Sequence, residues 1–392
     1  MSGRVQWANF SYRERLMAAS ERVPESYEKI VIVGVGLIGG SLAMAFRQAN
    51  YAGKLVGVSS EGAIEESLRL GIVDEGFPYD RLHDAVDGAD LVVLGSPIAV
   101  IIEQLKTLGG FGAHLKRGLV VTDVGSTKRS VLEAAEESLP DHVHFIGGHP
   151  LAGSEQRGVA AAEPFLFQNA FYVLTPGAKT PEEEVRRFGR LVELTGARVL
   201  VLGAEEHDRI AATISHVPQL LAVSLVLFLE SLGSETEHGK HLAAGGFRDM
   251  TRIASSPYSV WRDIITTNRD IIDELLHKFL DHIRFTLDNL GDETLAKVFK
   301  SSAEIRGEIP RDTKGFLSRL WDVLVVVEDQ PGVIVGVCAP LGEKGMNVQD
   351  IEVVKVREGD GGTLRLSFRT RDLAERAVAE LVARGYTARL RE

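Results

Sequence analysis

Apolar residues in this chain fall into short unbroken blocks, separated by longer stretches with helical spacing. The first block, "KIVIV", ends at Val33. Glycines follow at 34, 36 and 39, and then Leu42, Ala45 and Phe46 at helical intervals. A short apolar run closed by glycine predicts a strand buried on both faces, and the spacing after it predicts a helix. The unit recurs as "KLVGVSS", "ADLVVLGSP" with a helix over about 98–108, "GLVVTDVGS" with a helix over about 127–138, and "VHFIGGHP". "AFYVLTP" and "ARVLVL" look like two further strands. Strand–helix alternation of this kind predicts a doubly wound parallel α/β sheet over residues 27–203. From 204 to 306 the pattern is all-helical. Residues 307–319 read as a linker, and 320–392 as strand, helix, strand, strand, helix, strand, a small βαββαβ domain. Residues 1–26 read as an N-terminal extension with no apolar core of signal-peptide length.

Composition narrows the class. The 392 residues are 44% hydrophobic and 25% charged, ordinary for a globular protein with two or three cores. A net charge of −11 argues against nucleic acid and anionic membrane as partners. The single cysteine, Cys338, excludes an intrachain disulfide and a cysteine-cluster metal site, and fits a reducing compartment, the cytoplasm. Residues 210–229 carry no Asp, Glu, Lys or Arg, but Ser215, His216, Pro218 and Gln219 interrupt them. A kinked helix in a domain or subunit core is expected there rather than a membrane span. His142, His144, His238 and His241 have no carboxylate or cysteine completing a set, so no metal site is expected.

Gly34, Gly36 and Gly39 form G-x-G-x-x-G between a strand and a helix. That places Leu37 and Ile38 in the first helical turn, where a pyrophosphate is received, and makes the sheet Rossmann-like. The second strand ends at Ser59 and Ser60, with Glu61 one or two residues late for the ribose hydroxyls, so NAD is expected and NADP stays open. Ligands of such sheets sit beyond the carboxyl ends of the strands. Ser96, Pro97, Asp123 to Ser126, and the loop from Gly147 to Glu155 all lie there. That loop carries His149 among small residues on the cofactor side, which raises its claim to proton transfer near neutral pH.

Taken together, "GVGLIGGS", "TDVGSTK", "GGHPLAGSE", "SHVPQ" and "GGFRDMTRIASS" resemble, in order and spacing, the prephenate and arogenate dehydrogenases. The tail, with "DQPG" and "GMNV", resembles an ACT domain, an amino-acid-sensing module. The resemblance implies that His149 is the catalytic histidine, with an acid limb near the ordinary imidazole value of about 6.5. Ser126 would orient His149 or the substrate hydroxyl, and Lys128 beside it reads as a solvated lysine. Arg252 matches the arginine for the ring carboxylate, with Arg248 the competing candidate. Asp249 and Glu155 match acids gating that arginine. Ser215 of "SHVPQ", His207 and Trp261 match positions near the substrate, though Trp261 serves equally as core. Gln219 stands where some members have a second histidine, which leaves prephenate against arogenate open.

In the tail, the resemblance places an effector site at Asp329, Pro331 and Gly332 opposite Asn347, with tyrosine as the expected effector between two ACT domains. The partners implied are a small-molecule substrate and a second copy of the chain, the helical block supplying a homodimer core. The competing readings are an arogenate dehydrogenase and a non-catalytic amino-acid sensor.

Overall fold

The computed structural model describes residues 27–153, 156–233, 238–309, 320–328, 330–357 and 361–391. The N-terminal extension, Glu155, Asp329 and most of the expected linker lie outside the described residues. The chain divides into two compact units, one up to Asp288 and one from Asn289.

The first unit opens with β1 (Lys29–Val33), α1 (Leu37–Gln48), β2 (Lys54–Ser59), α2 (Glu61–Arg69), β3 (Glu75–Pro78) and α3 (Leu82–Val86). It continues through β4 (Leu91–Leu94), α4 (Ile98–Phe111), β5 (Val120–Asp123), α5 (Arg129–Ser138), β6 (His144–Pro150), β7 (Phe171–Pro176), α6 (Glu182–Glu193) and β8 (Arg198–Val201). The eight strands form one sheet in the order β3-β2-β1-β4-β5-β6-β7-β8. Alternation along β1 fills both faces. Ile30 and Ile32 pack on one side with Phe46 and Tyr51, and Val31 and Val33 on the other with Ile101, Leu105 and Leu108. The sheet is the expected Rossmann-like one with one difference. β7 runs antiparallel to β6, and β8 follows β7 in parallel. Parallel neighbours need a crossover, usually a helix. Among the described residues of the segment between β6 and β7 there is no α-helix, only turns such as the 3-10 turn Val159–Ala161, and the chain returns in the opposite sense.

Helices follow: α7 (Ala204–Ala211), a π-helical turn Ala212–His216, α8 (Val217–Ser231), α9 (Gly239–Leu242), α10 (Gly245–Thr251), a 3-10 turn Arg252–Ser255, α11 (Tyr258–Thr267) and α12 (Arg269–Asp288). Pro218, in the first turn of α8, has no N–H to give to the preceding turn, and the chain widens to π geometry just before it. Residues 204–231 are long and apolar enough to cross a membrane by length and composition. In the fold this stretch is helical throughout, interrupted by the π-helical turn, and it buries His207, Asp208, His216 and Gln219 but leaves Ile214, Leu227 and Phe228 exposed, so the core expected around it is not filled within this chain.

The second unit contains α13 (Glu293–Glu308), β9 (Trp321–Val327), α14 (Val333–Glu343), β10 (Asp350–Arg357), β11 (Gly361–Phe368), α15 (Arg371–Ala383) and β12 (Thr387–Leu390). Its sheet, in the order β10-β11-β9-β12, is antiparallel. Val323, Val325, Leu364 and Leu366 pack there against Val337, Leu341, Ala374 and Ala377. This is the βαββαβ arrangement expected. The boundary expected at residue 203 separates sheet from helices but not compact units, because hydrogen bonds tie the two parts together. α13, assigned from the sequence to the helical block, falls in the second unit.

Candidate active site

Four helices begin beyond the carboxyl ends of the adjacent strands β2, β1, β4 and β5, and those after β4 and β5 are sealed by carboxylates. The Ala99 N–H of α4 donates to Asp263 Oδ2 of α11, 3.1 Å. The Lys128 and Arg129 N–H groups at the start of α5 donate to the two oxygens of Asp208, 2.7 and 3.0 Å. The start of α1 has no side-chain cap. Gly34 there has φ +93°, and a Cβ on it would lie 2.9 Å from the Gly95 backbone; a Cβ on Gly39 would lie 2.3 Å from the Gly34 carbonyl oxygen. A Cβ on Gly36 would meet nothing within 4 Å. The first and third glycines thus close the turn, and the second faces open space in front of N–H groups suited to a phosphate. Leu37 and Ile38 open α1, and Ser59 is buried at the end of β2. These residues fit a dinucleotide. Ser96 Oγ accepts from Gln104, 3.0 Å, and Pro97 is the N-cap of α4.

Asp123 departs from its expected place against the cofactor. It is fully buried. It pairs with Lys128 and accepts from the Gly125 and Gly148 N–H groups, 2.7 and 3.1 Å. Lys128 is not solvated either. It is fully buried and donates to the Gly148 carbonyl, 2.7 Å. A helical turn after β5 would expose a lysine, but the segment stays non-helical up to the start of α5 and the side chain folds back under β6.

His149 sits at the end of β6, half-buried. Its Nδ1 lies 2.8 Å from His207 Nε2, and His207 Nδ1 lies 2.8 Å from Asp208 Oδ1. The tautomers follow from the end of the chain. The Asp208 carboxylate accepts, so His207 Nδ1 carries a proton and Nε2 accepts. His149 Nδ1 therefore donates, which leaves its Nε2 lone pair free to take a proton. Burial holds His149 well below the ordinary imidazole value, with His207, Lys128 and His216 adding to the effect. A neutral base at neutral pH is the result, and the acid limb expected near 6.5 moves lower.

His207, expected near the substrate, is the ring that orients His149. Ser126 is half-buried, and among the described residues no hydrogen bond joins it to His149, so orientation of the ring falls to His207 and Asp208. Asp208 also holds Asn268, whose side-chain amide donates to its backbone carbonyl, 2.9 Å. Neither Asp208 nor Asn268 was singled out from the sequence, since a lone acid or amide in a helical stretch carries no signal of its own. His216 was likewise passed over. It is buried beside Asn268 and edge-on to Trp261, and burial pulls it down to about 4. Trp261 packs against the sheet core, while its Nε1 is a buried donor without a partner among the described residues.

Gln219 is buried, and its amide donates to the Ile253 carbonyl, 3.0 Å. It ties α8 to the 3-10 turn that starts at Arg252, rather than presenting that amide to a substrate. Arg252, Arg248, Asp249 and Ser215 are all exposed. Among the described residues no ion pair joins Arg252 to Asp249. No group of three metal-ligating side chains is present among the described residues.

An open glycine cradle before α1, with a neutral imidazole at the end of β6 in the same sheet, defines a dinucleotide-dependent dehydrogenase. Residues 42–201 match the nucleotide-binding domain of prephenate dehydrogenase, 203–301 its dimerization domain, and 321–384 the ACT domain. A prephenate dehydrogenase of Bacillus subtilis is 38% identical over 91% of this chain and 96% of its own. Two solved structures are similar. One is the Aquifex aeolicus prephenate dehydrogenase with hydroxyphenyl propionate and NAD+, at 32% identity, a TM-score of 0.65, and coverage of 72% of this chain and 98% of that one. The other is the Synechocystis arogenate dehydrogenase, at 30% identity, a TM-score of 0.63, and coverage of 71% and 98%. The chain belongs to the prephenate dehydrogenase family.

Proposed function

We propose that the protein is an NAD-dependent prephenate dehydrogenase that converts prephenate to 4-hydroxyphenylpyruvate. One observation carries the mechanism: the Asp208–His207–His149 chain leaves a neutral imidazole nitrogen free at the end of β6. Prephenate bears a hydroxyl on ring C4, a ring carboxylate and a pyruvyl carboxylate. Bound NAD supplies the hydride acceptor. His149 Nε2 takes the proton of the C4 hydroxyl as that carbon is oxidised. The bond to the ring carboxylate then breaks, carbon dioxide leaves, and its electron pair makes the ring aromatic. The proton on His149 returns to the oxygen, which becomes the phenol. His207 and Asp208 stabilise the transient imidazolium. Arg252, exposed and free of an ion pair among the described residues, is the candidate fork for a carboxylate.

A second reading, arogenate as substrate, is favoured by Gln219, which cannot carry the charge of the histidine that some family members have there. Steady-state rates with prephenate and arogenate, each with NAD and NADP, test both. The proposal expects the highest kcat/KM with prephenate and NAD; a preference for arogenate would replace it with the second reading.

The matched dimerization domain and the exposure of Leu227 and Phe228 on α8, 63% and 60%, support a homodimer. The family's place in soluble biosynthesis supports the cytoplasm. Tyrosine is the proposed effector at Pro331, Gly332 and Asn347 of the ACT domain, where Gly332 has φ +87° as the N-cap of α14 and Asn347 is exposed.

A further inference from the structure

Lys128 reaches His149 from two sides. Its ammonium pairs with Asp123 and donates to the Gly148 carbonyl, 2.7 Å, in the peptide that leads into His149. Its backbone N–H donates to Asp208 Oδ1, 2.7 Å, the atom that also fixes His207. The glycines before His149 sit in close packing between β5 and β7, where a Cβ on Gly147 would lie 2.3 Å from Thr175 Oγ1. That Cβ would also lie 3.2 Å from Lys128 Cδ, and one on Gly148 would lie 2.4 Å from the Asp123 carbonyl oxygen. Taking an ammonium and a carboxylate fully out of water costs several kcal/mol per ion, and apolar residues of like volume fill such space as well or better. A buried pair at this point therefore calls for a role beyond packing.

We propose that Lys128 is the positioning residue of the proton acceptor: it fixes the His149 peptide through the Gly148 carbonyl and holds, through its backbone N–H, the carboxylate that orients His207. The proposal rests on the reading of His149 as proton acceptor. The titratable groups that act on the ring are His207 of α7, in contact with it and held by Asp208, His216 of the π-helical turn, and Lys128, paired with Asp123 at the end of β5. Burial lowers His149 first, and Lys128 adds to it.

Lys128→Met alone strands Asp123 without a counter-charge and invites unfolding. The test is the full-length double variant Lys128→Met with Asp123→Asn, compared with wild type by NAD titration, kcat and the pH profile of kcat/KM. NAD affinity is expected to hold within about threefold, because the cradle before α1 is untouched. Turnover is expected to fall roughly 10- to 100-fold from a displaced base. The acid limb is expected to rise while staying below the ordinary imidazole value, because burial, the larger cause, is unchanged. A filler role for Lys128 would leave that limb in place, so a folded double variant with the wild-type limb overturns the proposal. If the double variant does not fold, Lys128→Arg keeps the charge but displaces the donor. It should lower kcat and leave the limb unmoved, and an unchanged kcat or a shifted limb overturns the proposal. Should His149→Asn keep near-normal turnover, the proton-acceptor reading itself falls. An unmoved limb alongside an inactive His149→Asn removes only the role given to Lys128.

Discussion

At the residue scale, the chemistry of His149 is set by groups 58 and 59 positions away in the chain, His207 and Asp208. His149→Asn is expected to lower turnover by about two to four orders of magnitude while NAD still binds, since general-base catalysis typically supplies that factor. The wild-type acid limb should fall below the ordinary imidazole value, because burial holds the ring neutral; a limb at or above about 6.5 would contradict that environment. His216 gives a stability prediction. Its folded value is about 4, against about 6.5 unfolded. Below 6.5 the unfolded chain takes up a proton that the native ring refuses. The contribution of this residue is therefore complete above that pH and is lost as pH falls toward 4. Melting curves at pH 7 and pH 5 should show His216→Gln losing less Tm on acidification than wild type. The histidine at 149 was legible from its small-residue loop and from the motifs around it. Its tautomer was not, because a neighbour in space leaves no spacing in the sequence. Lys128 was misjudged for the same reason: a lone lysine in a polar stretch gives no sign that its stem turns inward.

The glycine-rich turn separates two roles that the motif merges. Gly39→Ala should cost about 1–3 kcal/mol of stability, since overpacking is felt in that range and the new methyl would meet the Gly34 carbonyl oxygen and Ile32. Gly36→Val should leave Tm near wild type but weaken NAD at least tenfold, because its side chain enters the space left for phosphate. Calorimetry and NAD titration on the pair check both; equal loss of Tm would refute the division. Elements were legible where apolar runs and glycines punctuate the chain, as in β1, β2, β4, β5 and β6, but β3, with no apolar run of its own, was not read. The sense of β7 and β8 was not, since an apolar run reads the same in either direction. The π-helical turn was foreshadowed only by Pro218.

Over the whole molecule, the three-part order of sheet, helices and ACT domain was plain from changes of period, and the joints were not. Where a helix docks is decided by its partners, and α13 keeps company with the second unit although its composition matches the helical block. For the tail, Gly332→Val in the full chain should weaken inhibition by tyrosine at least tenfold with turnover in its absence unchanged, because valine is strained at φ +87°. The same inhibition midpoint in both proteins would remove tyrosine from this site. The sealing of α4 and α5 by Asp263 and Asp208 bears on how the protein can be taken apart. Those carboxylates behave as resident counter-ions, occupying seats that free anions would otherwise take. Sever the chain after residue 203 and both seats fall vacant, so the sheet on its own would open two anion berths that the intact protein keeps filled. Restraint toward stray anions is thus lent to the sheet by helices that lie beyond its own sequence.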